Sequence, residues 1–177
     1  VFMLVRISPL LQFSEIGSIT IISLGLLTAL ISAFAAINQD DIKKVLAYST
    51  ISQLGFMFIA IGAGAYVAAI FHLVTHAFFK ALLFLGAGAV IHEMHHEQNI
   101  YKMGGLRKKM PVTAAMMGIG TLAISGIPPL AGFWSKDEIL ASVFSKGGIY
   151  YGFWALSLLA ALMTACLLYT SPSPRDL

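Results

Sequence analysis

The sequence is short of charge and nearly free of cysteine. Of 177 residues only 11% are Asp, Glu, Lys or Arg, against about 25% in soluble globular domains. The single cysteine excludes a disulfide framework and a thiolate cluster. Charge is missing from whole stretches: residues 16 to 39, 45 to 79, 110 to 135 and 147 to 174 hold no Asp, Glu, Lys or Arg. What fills them is apolar, with 58% hydrophobic residues and a mean hydropathy of +0.85. A helix needs about 20 apolar residues to cross the hydrocarbon core, so each run has room for one span and the second for most of two. Without water to pair backbone groups, a spanning chain is helical or a closed barrel. These runs do not alternate apolar and polar residues, which favours helices. The expected fold is therefore all-α, a polytopic transmembrane helix bundle of about five to six membrane segments.

The net charge of +3 and the pI near 9.1 would suggest nucleic acid in a soluble protein. Here Lys43, Lys44, Lys102, Arg107, Lys108 and Lys109 lie between the apolar runs. That is the pattern of cytoplasmic loops, so the expected surroundings are a lipid bilayer and no nucleic acid. The opening residues, with Arg6, Pro9, Gln12 and Glu15, lack the layout of a signal peptide. A start at Val1 reads as the start of an internal piece.

The first span is expected from about Ile16 to Ile37 and the second from Ile42 to Gly62. A turn at Gly62-Ala63-Gly64 leads into a third, from about Val67 to Ile91. Residues 92 to 110 form a charged loop with a flexible point at Gly104-Gly105. Spans two and three bring the chain back to the side it left, so Lys43 and Lys44 should share a face with Lys102 to Lys109. From Pro111 a helix runs to about Ser125, and Gly126-Ile127-Pro128-Pro129 must break it, because proline removes a donor and clashes with the preceding turn. The discontinuity is expected near 126–132. Irregular backbone at membrane depth is tolerated where protein buries it or water lines it, and broken helices often flank ion sites; a plain loop between spans is the alternative. A last span covers about Tyr150 to Ala165. Cys166 to Asp176, CLLYTSPSPRD, resembles the translation of a sequencing-library adapter. Residues 1–165 are accordingly expected to belong to one transmembrane domain and 166–177 to a non-native tail.

His72, His76 and Lys80 are spaced four residues apart, which places them within an arc of about 80° on one helix, about 6 Å per step. A lysine at the bilayer centre costs at least about 2.5 kcal/mol and usually faces the bundle interior, a partner or water. Desolvation disfavours its ammonium form. With histidines one and two turns away, a proton ladder is one reading; hydrogen-bonded glue between helices is the other. Thr75, Ser49, Thr50, Ser52 and Gln53 are further polar groups for either. Lys136, Asp137 and Glu138 follow the expected break, where a lysine beside carboxylates would make a switch and an exposed helix end would make nothing of them. Asp40 or Asp41 suits the N-cap of the next helix, with Lys43 just inside it.

His92-Glu93-Met94-His95-His96 matches H-E-x-x-H, the zinc-protease spacing. A membrane metalloprotease is therefore a second reading. It lacks a clear third ligand downstream, and the segment sits where the chain leaves the membrane.

DIKKVLAYSTISQLGFMFIAIG, IFHLVTHAFFKALLFLGAGAVIHEMHHEQNIYKMGGLRKKMP and SGIPPLAGFWSKDEIL together resemble the antiporter-like subunits of respiratory complex I, NADH:quinone oxidoreductase. The HHEQNIYKMGGL loop points to the L-type subunit. The resemblance covers about Leu26 to Ala165 and implies a proton-translocating membrane subunit with no redox chemistry of its own. NADH, FMN, iron–sulfur clusters and quinone would belong to other subunits, and the partners would be other membrane subunits, above all the neighbouring antiporter-like one. It implies Lys80 as the central lysine, His72 and His76 as its links along a polar axis, and Lys136 with its neighbour Asp137 in the discontinuous helix. Asp40 and Lys43 would form a supporting polar junction. No catalytic, cofactor or metal residue is implied. The setting would be a bacterial inner membrane rather than a mitochondrial one. Subunits of Mrp-type sodium/proton antiporters and membrane-bound hydrogenases share the fold and remain the close alternative.

Overall fold

The computed structural model describes residues 1–11, 13–103 and 105–170, apart from the side chains of Leu106 and residues 167–170. Two short helices, α1 (Phe2–Arg6) and α2 (Ser8–Leu11), lead into α3 (Glu15–Ile37), α4 (Ile42–Gly62) and α5 (Tyr66–Glu93). After a 3-10 turn at Ile100–Lys102 come α6 (Leu106–Lys109), α7 (Pro111–Ser125), α8 (Ala131–Ser145) and α9 (Tyr150–Thr170). The protein is an all-α membrane helix bundle. α3, α4 and α5 are each long and apolar enough to cross a bilayer, and α7 and the Tyr150–Cys166 stretch are shorter apolar helices.

Small residues set the spacing of the long helices. A Cβ on Gly55 would meet the Gly25 carbonyl at 2.6 Å, and one on Gly62 the Ile22 backbone nitrogen at 2.7 Å. α3 and α4 therefore approach backbone to backbone, as membrane helices do where side chains are small. Ser52 Oγ donates to the Ala29 carbonyl across this contact at 3.0 Å. Gly64, at φ +77°, turns α4 back into α5.

The other ends of α4 and α5 are tied together as well. Asp41 caps α4, its carboxylate accepting from the Lys43 and Lys44 amides. Asp41 and Asn99 form an isolated antiparallel bridge, with Ile42 N–H donating to the Gln98 carbonyl at 3.1 Å and Ile100 N–H to the Asp40 carbonyl at 2.8 Å. The expected sharing of one face by Lys43, Lys44 and the basic loop thus has a physical clip behind it.

The break falls where the prolines demand it. α7 ends at Gly126 in the left-handed region, φ +76°, a conformation glycine adopts freely. The Gly126 and Ile127 amides donate to the Ala123 and Leu122 carbonyls, and the Pro128–Pro129 peptide is cis. α8 starts against the end of α7: a Cβ on Gly132 would lie 1.8 Å from the Ala123 carbonyl oxygen. α9 continues beyond Ala165 to Thr170; residues 171–177 of the expected tail, and Gly104 of the expected flexible point, lie outside the described residues.

Candidate functional site

Four ionisable bases are buried in the interior: His72 at 0% exposure, Lys80 and Lys136 at 5%, and His76 at 6%. Among the described residues no carboxylate is buried with them. Neither lysine has an acid to neutralise it, so each must be held by dipoles. Lys80 Nζ donates to the Leu46 carbonyl at 3.0 Å and to Ser49 Oγ. Lys136 Nζ donates to the Ile124 carbonyl and lies 5.6 Å from the centre of the Phe56 ring. Ile124 is in the last turn of α7, whose carbonyls have no partner within the helix and carry the negative end of its dipole. The broken helix supplies the acceptor that holds the lysine of its second half.

His72 bridges three helices. Its Nε2 lies 3.1 Å from Gln53 Oε1 on α4, and its Nδ1 lies 2.8 Å from Ser135 Oγ on α8. The His72 and His76 rings are 6.2 Å apart, and Phe79 packs edge-on to both. Ser49 and Gln53 stand one turn apart on α4, facing Lys80 and His72, which stand about two turns apart on α5. Lys80, His76, His72, Ser135 and Lys136 thus form a lateral seam buried between α4, α5, α7 and α8, hydrogen-bonded at Lys80, His72 and Lys136 and open at His76 Nε2. In low dielectric the charges of such bases interact strongly, so their protonation states are coupled.

The family described as NADH:quinone oxidoreductase/Mrp antiporter, TM, matches residues 1–164. The chain belongs to this family. It is 54% identical over 165 residues to NADH-quinone oxidoreductase subunit L of Rickettsia bellii, covering 93% of this chain and 25% of the relative. NAD(P)H-quinone oxidoreductase chain 5 of Synechocystis is 50% identical over 177 residues, covering 96% of this chain and 26% of that one. The chain thus spans about a quarter of the length of the curated relatives it matches. Among solved structures, the Mrp complex from Dietzia superposes with a TM-score of 0.83 at 36% identity, covering 93% of this chain and 19% of that one.

Within this family's transmembrane segment, the sequence placed His72, His76, Lys80 and Lys136 on helices; the fold brings them into one seam. Asp137 does not join them. It is exposed, as is Glu138, because the buried stripe of α8 is Gly132, Ser135, Lys136, Ile139 and Val143. Position 137 points about 100° away from Lys136, so the expected lysine–carboxylate switch is not assembled. Asp40 and Lys43 are exposed too; Asp40 contributes its backbone carbonyl to the clip, and Asp41 is the cap. Among the earlier polar candidates, Thr50 and Thr75 bond back to their own helices, while Ser49 and Gln53 reach the seam. Ser135 was missed. Its signal was the spacing of α8, where it shares the stripe of Gly132 and Lys136.

The H-E-x-x-H match is not carried by a helix. α5 ends at Glu93 with Met94 as its cap, and His95 and His96 have φ values of 52° and 69°. His96 therefore lies outside the helix that carries His92, although their rings are 6.3 Å apart, and the motif's helical setting is missing. Among the described residues no three His, Cys, Asp or Glu side chains converge as a metal centre.

Proposed function

We propose that the chain is part of a proton-translocating membrane subunit of NADH:quinone oxidoreductase, its transfer path running through Lys80, His76, His72 and Lys136. The observation that carries this is the seam: four buried bases in one row, Lys80 held by Ser49 and His72 by Gln53 and Ser135, with no buried acid among the described residues to fix their charge. A structural cluster is held by static pairing. A transfer path needs groups that accept and release protons at tolerable cost, and the hydrogen bonds of His72, Lys80 and Lys136 go to hydroxyl, amide and carbonyl groups. The relatives named as subunit L or chain 5 of a quinone oxidoreductase support the reading.

In this reading the chain binds no redox group. NADH, FMN, iron–sulfur clusters and quinone sit in other subunits, the neighbouring antiporter-like subunit continues the seam, and the setting is a bacterial inner membrane. Asp137 is left a supporting role outside the seam, as are Asp40 and Lys43. Membership of a Mrp-type antiporter is the second reading, favoured by the superposition on the Dietzia complex; sodium-dependent rather than redox-driven proton movement would select it.

The test is Lys80→Ala in a full-length relative assembled in its complex in inverted membrane vesicles. Proton uptake per NADH oxidised is expected to fall about tenfold or more, in the range of losing a proton-transfer group, with the complex still assembled. Wild-type oxidation and uptake together would make Lys80 structural and end the reading.

A further inference from the structure

Among the described residues, two buried side-chain polar atoms have no hydrogen-bond partner: Gln53 Nε2 and His76 Nε2. Buried polar atoms are nearly always paired, and these two are neighbours by register. Ser49 contacts Lys80 and Gln53 contacts His72 across the α4–α5 hairpin. His76 lies between Lys80 and His72 on α5, hence level with the turn of α4 between Ser49 and Gln53.

The bonds around His72 say more. Gln53 Oε1 can only accept, so in this arrangement His72 Nε2 carries a hydrogen. On the other side Ser135 Oγ has two choices, His72 Nδ1 at 2.8 Å and the Gly132 carbonyl at 3.4 Å. Its hydroxyl donates to a bare Nδ1, or turns to Gly132 and accepts from a protonated one. The Nδ1 side of the ring is thus ready for a proton in or out. The Nε2 side is locked, because a proton leaving there would strand Gln53 Oε1 against a bare nitrogen. Turned over, the same amide donates from its own Nε2 to that nitrogen and presents Oε1 to the His76 level.

We propose that Gln53 is a positioning residue that gates proton passage through His72, its amide turning over once per proton. The proposal rests on the translocation reading above. In the step, one proton is bound at Nδ1 from the Ser135 side and one is released from Nε2 toward His76 Nε2, through a water that also meets the free end of the amide. The ring starts and ends neutral, with its hydrogen moved from Nε2 to Nδ1. Both end states are fully bonded: Nε2–H to Gln53 Oε1 with Ser135 donating to Nδ1, or Nδ1–H to Ser135 Oγ with Ser135 donating to Gly132 and Gln53 donating to Nε2. Turning the two groups back moves no hydrogen of the ring; the hydrogen returns to Nε2 when Nε2 takes a proton and Nδ1 gives one up, and the amide and hydroxyl turn back with that transfer. Lys80 and Lys136 lie at opposite ends of the seam, so the gate divides one lysine's territory from the other's.

The experiment compares Gln53→Met and Gln53→Asn with Lys80→Ala, each in a full-length relative assembled in its complex in inverted vesicles. The readout is proton uptake per NADH oxidised, per assembled complex. Methionine keeps the volume and loses the amide; asparagine keeps the amide and loses volume. Gating predicts a severalfold loss in Gln53→Met and a smaller one in Gln53→Asn. The reverse order, or a wild-type ratio in both, overturns it and leaves Gln53 a packing residue. Should Gln53→Met fail to assemble, the Asn variant decides through the deuterium isotope effect on uptake, which rises if amide turnover limits transfer and stays unchanged if the side chain only packs. A wild-type ratio in Lys80→Ala sinks the translocation reading itself; a loss there beside unchanged Gln53 variants sinks only the gate.

Discussion

The five histidines divide into two groups that differ in everything except residue type. His72 and His76 lie inside the bundle, both ring nitrogens of His72 engaged by residues of other helices. His92, His95 and His96 lie at the exposed end of α5 and in the loop beyond it, with rings of His92 and His96 6.3 Å apart. By motif the second group is the stronger site, since it carries the zinc-protease spacing. By environment it is the weaker. Water solvates its imidazoles whatever their charge, whereas a proton on the inner pair is felt by every neighbouring base. Chemistry follows from what removes water and fixes partners, and a spacing in sequence supplies neither.

That contrast can be attacked at several points. The largest effect is expected at Gly132, where the approach of α8 to the Ala123 carbonyl leaves no room for a Cβ. Gly132→Ala should force the broken helix apart and destabilise the bundle by about 3 kcal/mol, read as a lower yield and thermal midpoint of the assembled complex. An unchanged midpoint would mean that the seam does not depend on this contact.

Ser135→Ala removes one bond from His72 without touching packing. Stranding a buried nitrogen costs about 1–3 kcal/mol, while hydrogen bonds between membrane helices average about 0.6 kcal/mol. A loss of about 1 kcal/mol is therefore expected, accompanied by a fall in proton uptake per NADH. A change in stability with uptake intact would reduce Ser135 to glue.

At the outer group the expectation reverses. His92→Ala and His96→Ala should each change stability by no more than about 0.5 kcal/mol, as exposed substitutions do, and leave both oxidation and uptake unaltered. Loss of activity on adding a chelator, absent in these variants, would revive the metal reading.

The smallest effect belongs to Glu97 in the same loop. The Asn99 amide, the Lys102 ammonium at 3.2 Å and the Gln98 amide hold its carboxyl below the usual carboxylate value. A depressed folded value contributes loop stability that is present above the ordinary carboxylate value and lost as pH falls through the depressed one. Hydrogen exchange at the Gln98 and Asn99 amides should therefore speed up, relative to neighbouring loop amides, only in acid. Glu97→Gln should abolish that pH dependence.

Much of the architecture was legible because charge is so unevenly spread. The charge-free runs announced the spans, Asp40-Asp41 and the Gly62-Ala63-Gly64 turn set the ends of α4, and Gly126-Ile127-Pro128-Pro129 located the break after α7, since proline cannot continue the helix there. The partners were not legible. Nothing along the chain says that Gln53 meets His72 nineteen residues on, because that depends on the length of one turn and the register of two helices. Asp137 shows the opposite failure. Adjacency to Lys136 suggested a pair, but on a helix neighbours in sequence point different ways; the spacing of Gly132, Ser135, Lys136 and Ile139 held the better answer.

The clip between Asp41 and Asn99 has a consequence beyond the loop it closes. α4 and α5 are joined by a tight turn at one end and pinned by backbone bonds at the other, so neither can slide along its partner. A slip of one turn, about 5.4 Å, would carry Ser49 from Lys80 to the level of His76 and break the row of contacts at its first member. The hairpin behaves as a ruler fastened at both ends. Motion inside it is confined to side chains that rotate in place, while the helices keep the count.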